Sequence, residues 1–206
     1  LVVLSQFSTI STVLLTGDRE VSKRADQILH KAASIAEELS AGRHTRLRTA
    51  GAVLAADPQF RGTVSAGDPA ALNGLLQAHR YRAEIDLLVL LDADGRILAG
   101  AAEGSTQNFP ELVSLAMTEG PAPAHIRLHD HDYEVVTLPV GEAAPLAWLA
   151  SGVLVEENFA RRMSVLTGLD VTLLSRNTKP WSIPGSSLDG LDSTSLLEDL
   201  AATTVD

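Results

Sequence analysis

Residues 133–155 read YEVVTLPVGEAAPLAWLASGVLV, and the fold class turns on how this stretch is parsed. Two apolar runs, Tyr133–Val140 and Leu146–Val155, flank the connection Gly141-Glu142-Ala143-Ala144-Pro145. A short connection between runs rich in Val, Leu, Trp and Tyr is a hairpin pattern, so the stretch predicts an antiparallel strand pair. A strand with one wet face alternates apolar and polar residues. Here Val135, Val136 and Leu138, then Leu146, Trp148, Leu149, Val153 and Leu154, put apolar side chains on both faces. The pair is therefore expected at the centre of a sheet that is covered on both sides.

Composition narrows what those covers serve. The chain has 206 residues, 45% of them hydrophobic, enough for one good core and part of a second. Sixteen basic against 26 acidic residues give a net charge of −10, and aromatics make up only 4%. That balance supplies neither a basic footprint nor a stacking platform, so no nucleic-acid partner is expected. The absence of cysteine rules out a disulfide framework, a thiolate zinc site and a thiol nucleophile. With no nucleophile elbow, Gly-rich phosphate loop or HExxH, no catalytic residue and no cofactor are assigned.

The opening LVVLSQFSTISTVLL is mostly apolar but carries five Ser/Thr, and it is short of the roughly 20 residues that span a bilayer. It reads either as the outer end of a membrane helix, in a chain excised from a longer protein, or as the first turns of a packed helix. Residues 1–56 lack proline and predict one or two long helices. Phe7, Leu14, Val21, Ile28 and Ile35 recur every seven residues, the spacing that keeps one seam facing a partner. The seam fits a helix lying on its own sheet, or a parallel homodimer stalk in its first half, or both in succession. Gly42 is a candidate bend, Leu47, Val53 and Leu54 continue the stripe, and Asp57-Pro58 stops it.

Further on, Thr63 to Ala83 predicts a second helical region, with Asp68 as cap and Pro69 at its first position. Ile85–Leu91 predicts a strand, followed by Asp92-Ala93-Asp94-Gly95-Arg96 and a second strand, Ile97–Ala99. Asp-x-Asp-Gly opens like a calcium loop, and Glu103 falls at its twelfth position. Arg96 and Leu98 do not suit the ligand positions they occupy, however, and a hairpin turn is the better fit. A short helix is expected over Asn108–Met117 and another strand over His125–Leu128.

The run His129-Asp130-His131-Asp132 is the most conspicuous chemically. Alternate residues of a strand share a face, so His129 and His131 are weak candidates for a metal site. Four polar residues between two apolar runs also make a hairpin tip, where His and Asp tolerate positive φ. Glu156-Glu157-Asn158 caps a helix over Phe159–Gly168, and Leu169–Leu174 is the last clear strand. Asn177–Gly190 reads as a loop from which Trp181 docks back, and Ser195–Ala202 as a weak helix.

This order resembles the PAS-like Cache type of extracytoplasmic sensor domain. The likeness rests on LVLLDADG (Leu88–Gly95) as a first hairpin, on YEVVTLPV and PLAWLASGVLV as central strands, and on RRMSVLTGLDVTLLS (Arg161–Ser175) as the closing segment. It covers roughly residues 20–176. The resemblance implies an α+β fold with a long N-terminal helix packed on a five-stranded antiparallel sheet, divided as stalk (1–56), sensor domain (57–176) and a tail (177–206) that leads into a second lobe. It implies a periplasmic, ligand-sensing part of an inner-membrane receptor with flanking transmembrane helices, its output a cyclic-di-GMP GGDEF/EAL enzyme or a sensor histidine kinase. The alternative is a dimerisation or interaction domain without a small ligand. Amino-acid-binding members carry an Arg-x-Trp-aromatic run. The nearest equivalent, Arg80-Tyr81-Arg82-Ala83-Glu84, lacks the tryptophan. Pocket candidates follow from strand position: Tyr133 and Trp148 as rings, Arg127 for a carboxylate, Ser151 as a hydroxyl, Asp86 for an amine. For each, a role in packing, capping or solvation is the competing reading.

Overall fold

The computed structural model describes residues 2–100, 107–141, 144–175 and 182–188, with side chains from residue 26 onward except 174, 175, 182 and 184. Strands β1 (Leu87–Leu91), β2 (Ile97–Ala99), β3 (Pro123–Leu128), β4 (His131–Val140) and β5 (Ala147–Leu154) form one antiparallel sheet in the order β2-β1-β5-β4-β3. The stretch 133–155 lies where its two-sided apolar pattern put it. β5 is central and β4 sits beside it, in register from Tyr133 opposite Leu154 to Val140 opposite Ala147.

Alternation along the strands divides the core into two layers. On one face Leu88, Leu90, Val136, Leu149 and Val153 pack against Leu47, Ala50 and Leu54 of helix α1 (Val2–Ala56). Phe60 of α2 (Pro58–Ala66) and Leu72 and Leu76 of α3 (Pro69–Ala83) complete that layer. On the other face Leu87, Val89, Leu91, Val135, Trp148 and Ala150 lie under Phe109 and, from helix α4 (Pro110–Glu119), Leu112, Val113 and Ala116. The class is α+β, a long N-terminal helix on a five-stranded antiparallel sheet, as expected.

Polar side chains of α3 tie it to its neighbours, one buried and one exposed. His79 Nε2 lies 2.8 Å from the Ala50 carbonyl, joining α3 to α1. The Asn73 side-chain oxygen accepts the Gly100 N–H at 2.7 Å, joining α3 to the end of β2. Among the described residues no helix is long and apolar enough to cross a membrane.

Two local expectations need correction. The helix expected over Thr63–Ala83 is two helices. Asp57 not only ends α1 but caps α2 through the Gln59 N–H, and Gly67 (φ 66°) then Asp68 close α2 and open α3. Helix α1 runs through Gly42, the candidate bend, as one continuous helix. The last strand leaves the main sheet: β6 (Thr172–Ser175), after helix α5 (Glu157–Thr167), pairs with β7 (Ser182–Ser186) inside the expected loop. β7 contains Pro184 and Gly185, residues that a two-stranded ribbon tolerates and a central strand does not. Glu103, Trp181 and Ser195–Ala202 lie outside the described residues.

Candidate functional site

Trp148 and Tyr133 point to the α4 side of the sheet. Trp148 is buried in that layer, and Tyr133 packs half-buried at its margin. Burial pushes the Tyr133 phenol above its ordinary pKa, the Asp86 carboxylate adds to the rise, and Arg80 opposes it. Asp86 is fixed at the same end of the sheet: its Oδ2 accepts the Leu154 N–H at 2.8 Å, and its own N–H donates to the Gly152 carbonyl at 3.0 Å. Because Leu154 is the register partner of Tyr133, the chain brings Asp86 and Tyr133 together.

Thr137 shares the face of Tyr133 and Val135 and lies opposite Ala150. It is 3% exposed, and among the described residues its hydroxyl has no hydrogen-bond partner. Buried hydroxyls are bonded in the great majority of cases, so an orphan on an apolar sheet face asks for an absent partner. Sequence reading passed over Thr137. The signal was present, since it is the one polar side chain in Val135–Val140.

The α1 side carries a different set. Ser151, fully buried, donates its hydroxyl to the Leu47 carbonyl of α1 at 2.9 Å and lies 3.3 Å from the Val136 carbonyl. Helix and strand approach closely here. A Cβ on Gly51 would stand 2.6 Å from Leu138 Cδ1 and 3.2 Å from Ser151 Oγ. Glu134, also buried, takes Arg43 Nε on one carboxylate oxygen at 3.3 Å and His44 Nε2 on the other. Arg43 further donates to the Leu154 carbonyl at 3.4 Å and lies 4.2 Å over the Phe159 ring. Burial lowers the Arg43 pKa from its ordinary value, with Glu134 acting against that. Sequence reading missed this cluster, although a lone Glu within YEVV marks it.

The other candidates stand apart. Arg127 is exposed on edge strand β3, opposite Asp132 and on the reverse side from Ile126 and Leu128. His129 and Asp130, at φ 49° and 65°, form the two-residue tip between paired Leu128 and His131. Both histidines are exposed, and the His131 ring meets Tyr133 edge-on at 6.5 Å. Among the described residues no group of three His, Cys, Asp or Glu is placed to hold a metal ion. In the β1–β2 turn Asp92 Oδ1 accepts the N–H groups of Asp94 and Arg96, while Arg96 Nη1 binds Asp94 at 2.7 Å. An arginine thus stands beside the carboxylates that a cation would use.

Comparison with known proteins agrees with this architecture. Residues 22–204 match the family dCache_3, described as the double sensory domain of two-component sensor kinases. No curated protein matches the sequence. Among solved structures, the periplasmic domain of Vibrio cholerae LuxQ is similar with a TM-score of 0.58 at 14% identity, covering 82% of this chain and 84% of that one. The ligand-binding domain of the Campylobacter jejuni chemoreceptor Tlp3, in complex with 4-methylisoleucine, is similar with a TM-score of 0.52 at 10% identity, covering 83% and 69%. At these identities the structural likeness speaks for the fold. Because the family model matches residues 22–204 of the 206, the chain belongs to the dCache_3 family of double sensory domains of two-component sensor kinases.

Proposed function

We infer that the chain is the periplasmic ligand-sensing part of a membrane-bound sensor histidine kinase, and that its ligand is a small molecule held on the α4 face of the sheet. The observation that carries this reading is the buried, partnerless hydroxyl of Thr137 on that face. Small-ligand sites combine apolar walls with a few placed polar groups. Trp148 and Tyr133 would supply the walls and Thr137 a hydrogen bond. Of the remaining candidates, Ser151 fastens α1, and Arg127 faces away from the layer that holds Trp148.

Coupling runs through β4, whose adjacent residues Tyr133 and Glu134 face opposite sides of the sheet. A ligand that prefers one placement of β4 also selects a placement of Arg43 and His44 on α1. That helix has 55 residues and is about 80 Å long, enough to carry the change toward the membrane. The family's own description supports a kinase output over a cyclic-di-GMP GGDEF/EAL enzyme. The proposal includes flanking transmembrane helices and a homodimer through the first half of α1. Exposed Ile28 and Leu29 support the latter. The β6–β7 ribbon, separate from the main sheet, supports a lead-in to a second lobe that begins with β6, a few residues before the expected boundary at 176.

One observation favours a ligand-free interaction domain instead: Phe109, Leu112, Val113 and Trp148 already fill the α4 layer with side chains. A thermal-shift screen of small carboxylates, amines and amino acids separates the two. The sensing reading expects at least one compound that stabilises the native chain but not Thr137→Val, and the interaction reading expects none.

A further inference from the structure

A groove of about 730 Å³ lies between α1, the end of β5 and α5, and its described lining includes no residue of α4. Its size falls in the range of roughly 300–1,000 Å³ typical of small-ligand pockets. Three guanidinium groups line it, those of Arg43, Arg46 and Arg162, together with three carboxylates, those of Glu38, Asp86 and Glu156. Matched charges of both signs disfavour a plain anion or cation and suit a ligand that carries one of each. We propose that this groove binds a small zwitterion, with its carboxylate on Arg162 and Arg46 and its ammonium on Asp86.

Each side chain fits its part. Arg43 is committed to Glu134, the Leu154 carbonyl and the Phe159 ring, and so serves as a fixed wall. Arg162 is exposed on α5 and presents the planar fork that matches a carboxylate. The three guanidinium groups stand close enough that Arg46 and Arg162 add to the effect of burial in lowering the Arg43 pKa, against Glu134 and Asp86. A bound carboxylate relieves that repulsion. Asp86 is held in place through its bond to the Leu154 N–H. Gly42 lies along the α1 wall with nothing within 4 Å of where its Cβ would be, so a larger side chain there enters the groove without displacing the core. A ligand in this position bridges α1 and α5, and it does so whether or not the α4 face also takes one.

Isothermal titration calorimetry of the chain against the standard L-amino acids tests the site. At least one is expected to bind; Arg162→Ala is expected to weaken it about tenfold or more, the scale of a lost charged hydrogen bond, and Gly42→Phe to weaken it by filling the groove. Thr137→Val is expected to leave that binding unchanged, which separates this groove from the α4 face. The amine-free acid and the methyl ester of the binding amino acid are expected to bind at least about tenfold more weakly than the parent. Binding by none of the amino acids, or binding indifferent to both groove variants while their melting curves show them folded, overturns the proposal.

Discussion

Glu134 of β4 and Arg43 of α1 form an ion pair, 3.3 Å from Oε2 to Nε, and the glutamate is only 5% exposed. His44 from the same helix takes the second oxygen. Both oxygens of a carboxylate in the core are thus spent on one helix. This makes Glu134 a charged fastener between the sheet and α1, together with the Ser151 hydroxyl.

Glu134→Ala removes the counter-charge and leaves the Arg43 guanidinium part-buried beside an apolar strand. A loss of about 3 kcal/mol is expected, in line with breaking a buried pair from one side. Urea denaturation measures it. A loss below about 1 kcal/mol would place the pair with ordinary surface salt bridges.

The same substitution at two glycines of α1 is expected to have opposite signs. Gly42→Ala meets open space and gains the helix preference of alanine, roughly 0.5–1 kcal/mol of stability. Gly51→Ala drives a methyl to 2.6 Å from Leu138 and is expected to cost roughly 1–3 kcal/mol. Melting temperatures of the two variants report the contrast, and like signs would show that α1 does not press on Leu138 of β4 or Ser151 of β5 at Gly51.

Ser151→Ala deletes the hydrogen bond to the Leu47 carbonyl while keeping the packing. Because that carbonyl belongs to a helix and retains its backbone donor, the expected loss is about 1 kcal/mol. Ligand affinity should not change, since Ser151 faces α1 and Trp148 faces α4. A large change in affinity at unchanged stability would return Ser151 to the binding residues.

Tyr133 gives the fold a dependence on alkaline pH. Its folded pKa is raised by burial first and by Asp86 second, so the native state holds the phenolic proton more tightly than the unfolded chain does. The associated stability is complete below the ordinary tyrosine value of about 10 and is lost as pH rises through the folded value. Melting temperature is expected to fall as pH rises above about 10 more steeply in the native chain than in Tyr133→Phe. Equal slopes would remove the phenol as the cause.

Much of the fold was legible in the residues. The apolar content of both faces of 133–155 demanded two covers, and α1 and α4 supply them. Asp57-Pro58 was read only as a stop, although Asp before Pro starts a helix equally well, and so α2 was missed. β7 escaped because Pro184 and Gly185 carry no strand signal and its pairing with β6 is not local. As for the site, Trp148 and Ser151 lie three apart on one strand, so period two alone puts them on opposite faces. What the sequence did not carry is which face α1 takes, because this depends on where a long helix docks. Glu134 and Thr137 were each visible as a lone polar residue in an apolar run. Only the packed strands distinguish the one that is paired from the one that is not.

The most direct test is a thermal-shift comparison of the native chain and Thr137→Val against one library of small carboxylates, amines and amino acids. Replacing the orphan hydroxyl with a methyl of the same shape is expected to raise the stability of the free protein by about 1 kcal/mol. At least one compound is expected to raise the melting temperature of the native chain and to lose that effect in the variant. A library in which no compound shifts the native chain, or in which every compound that does shifts Thr137→Val equally, would contradict ligand sensing on the α4 face.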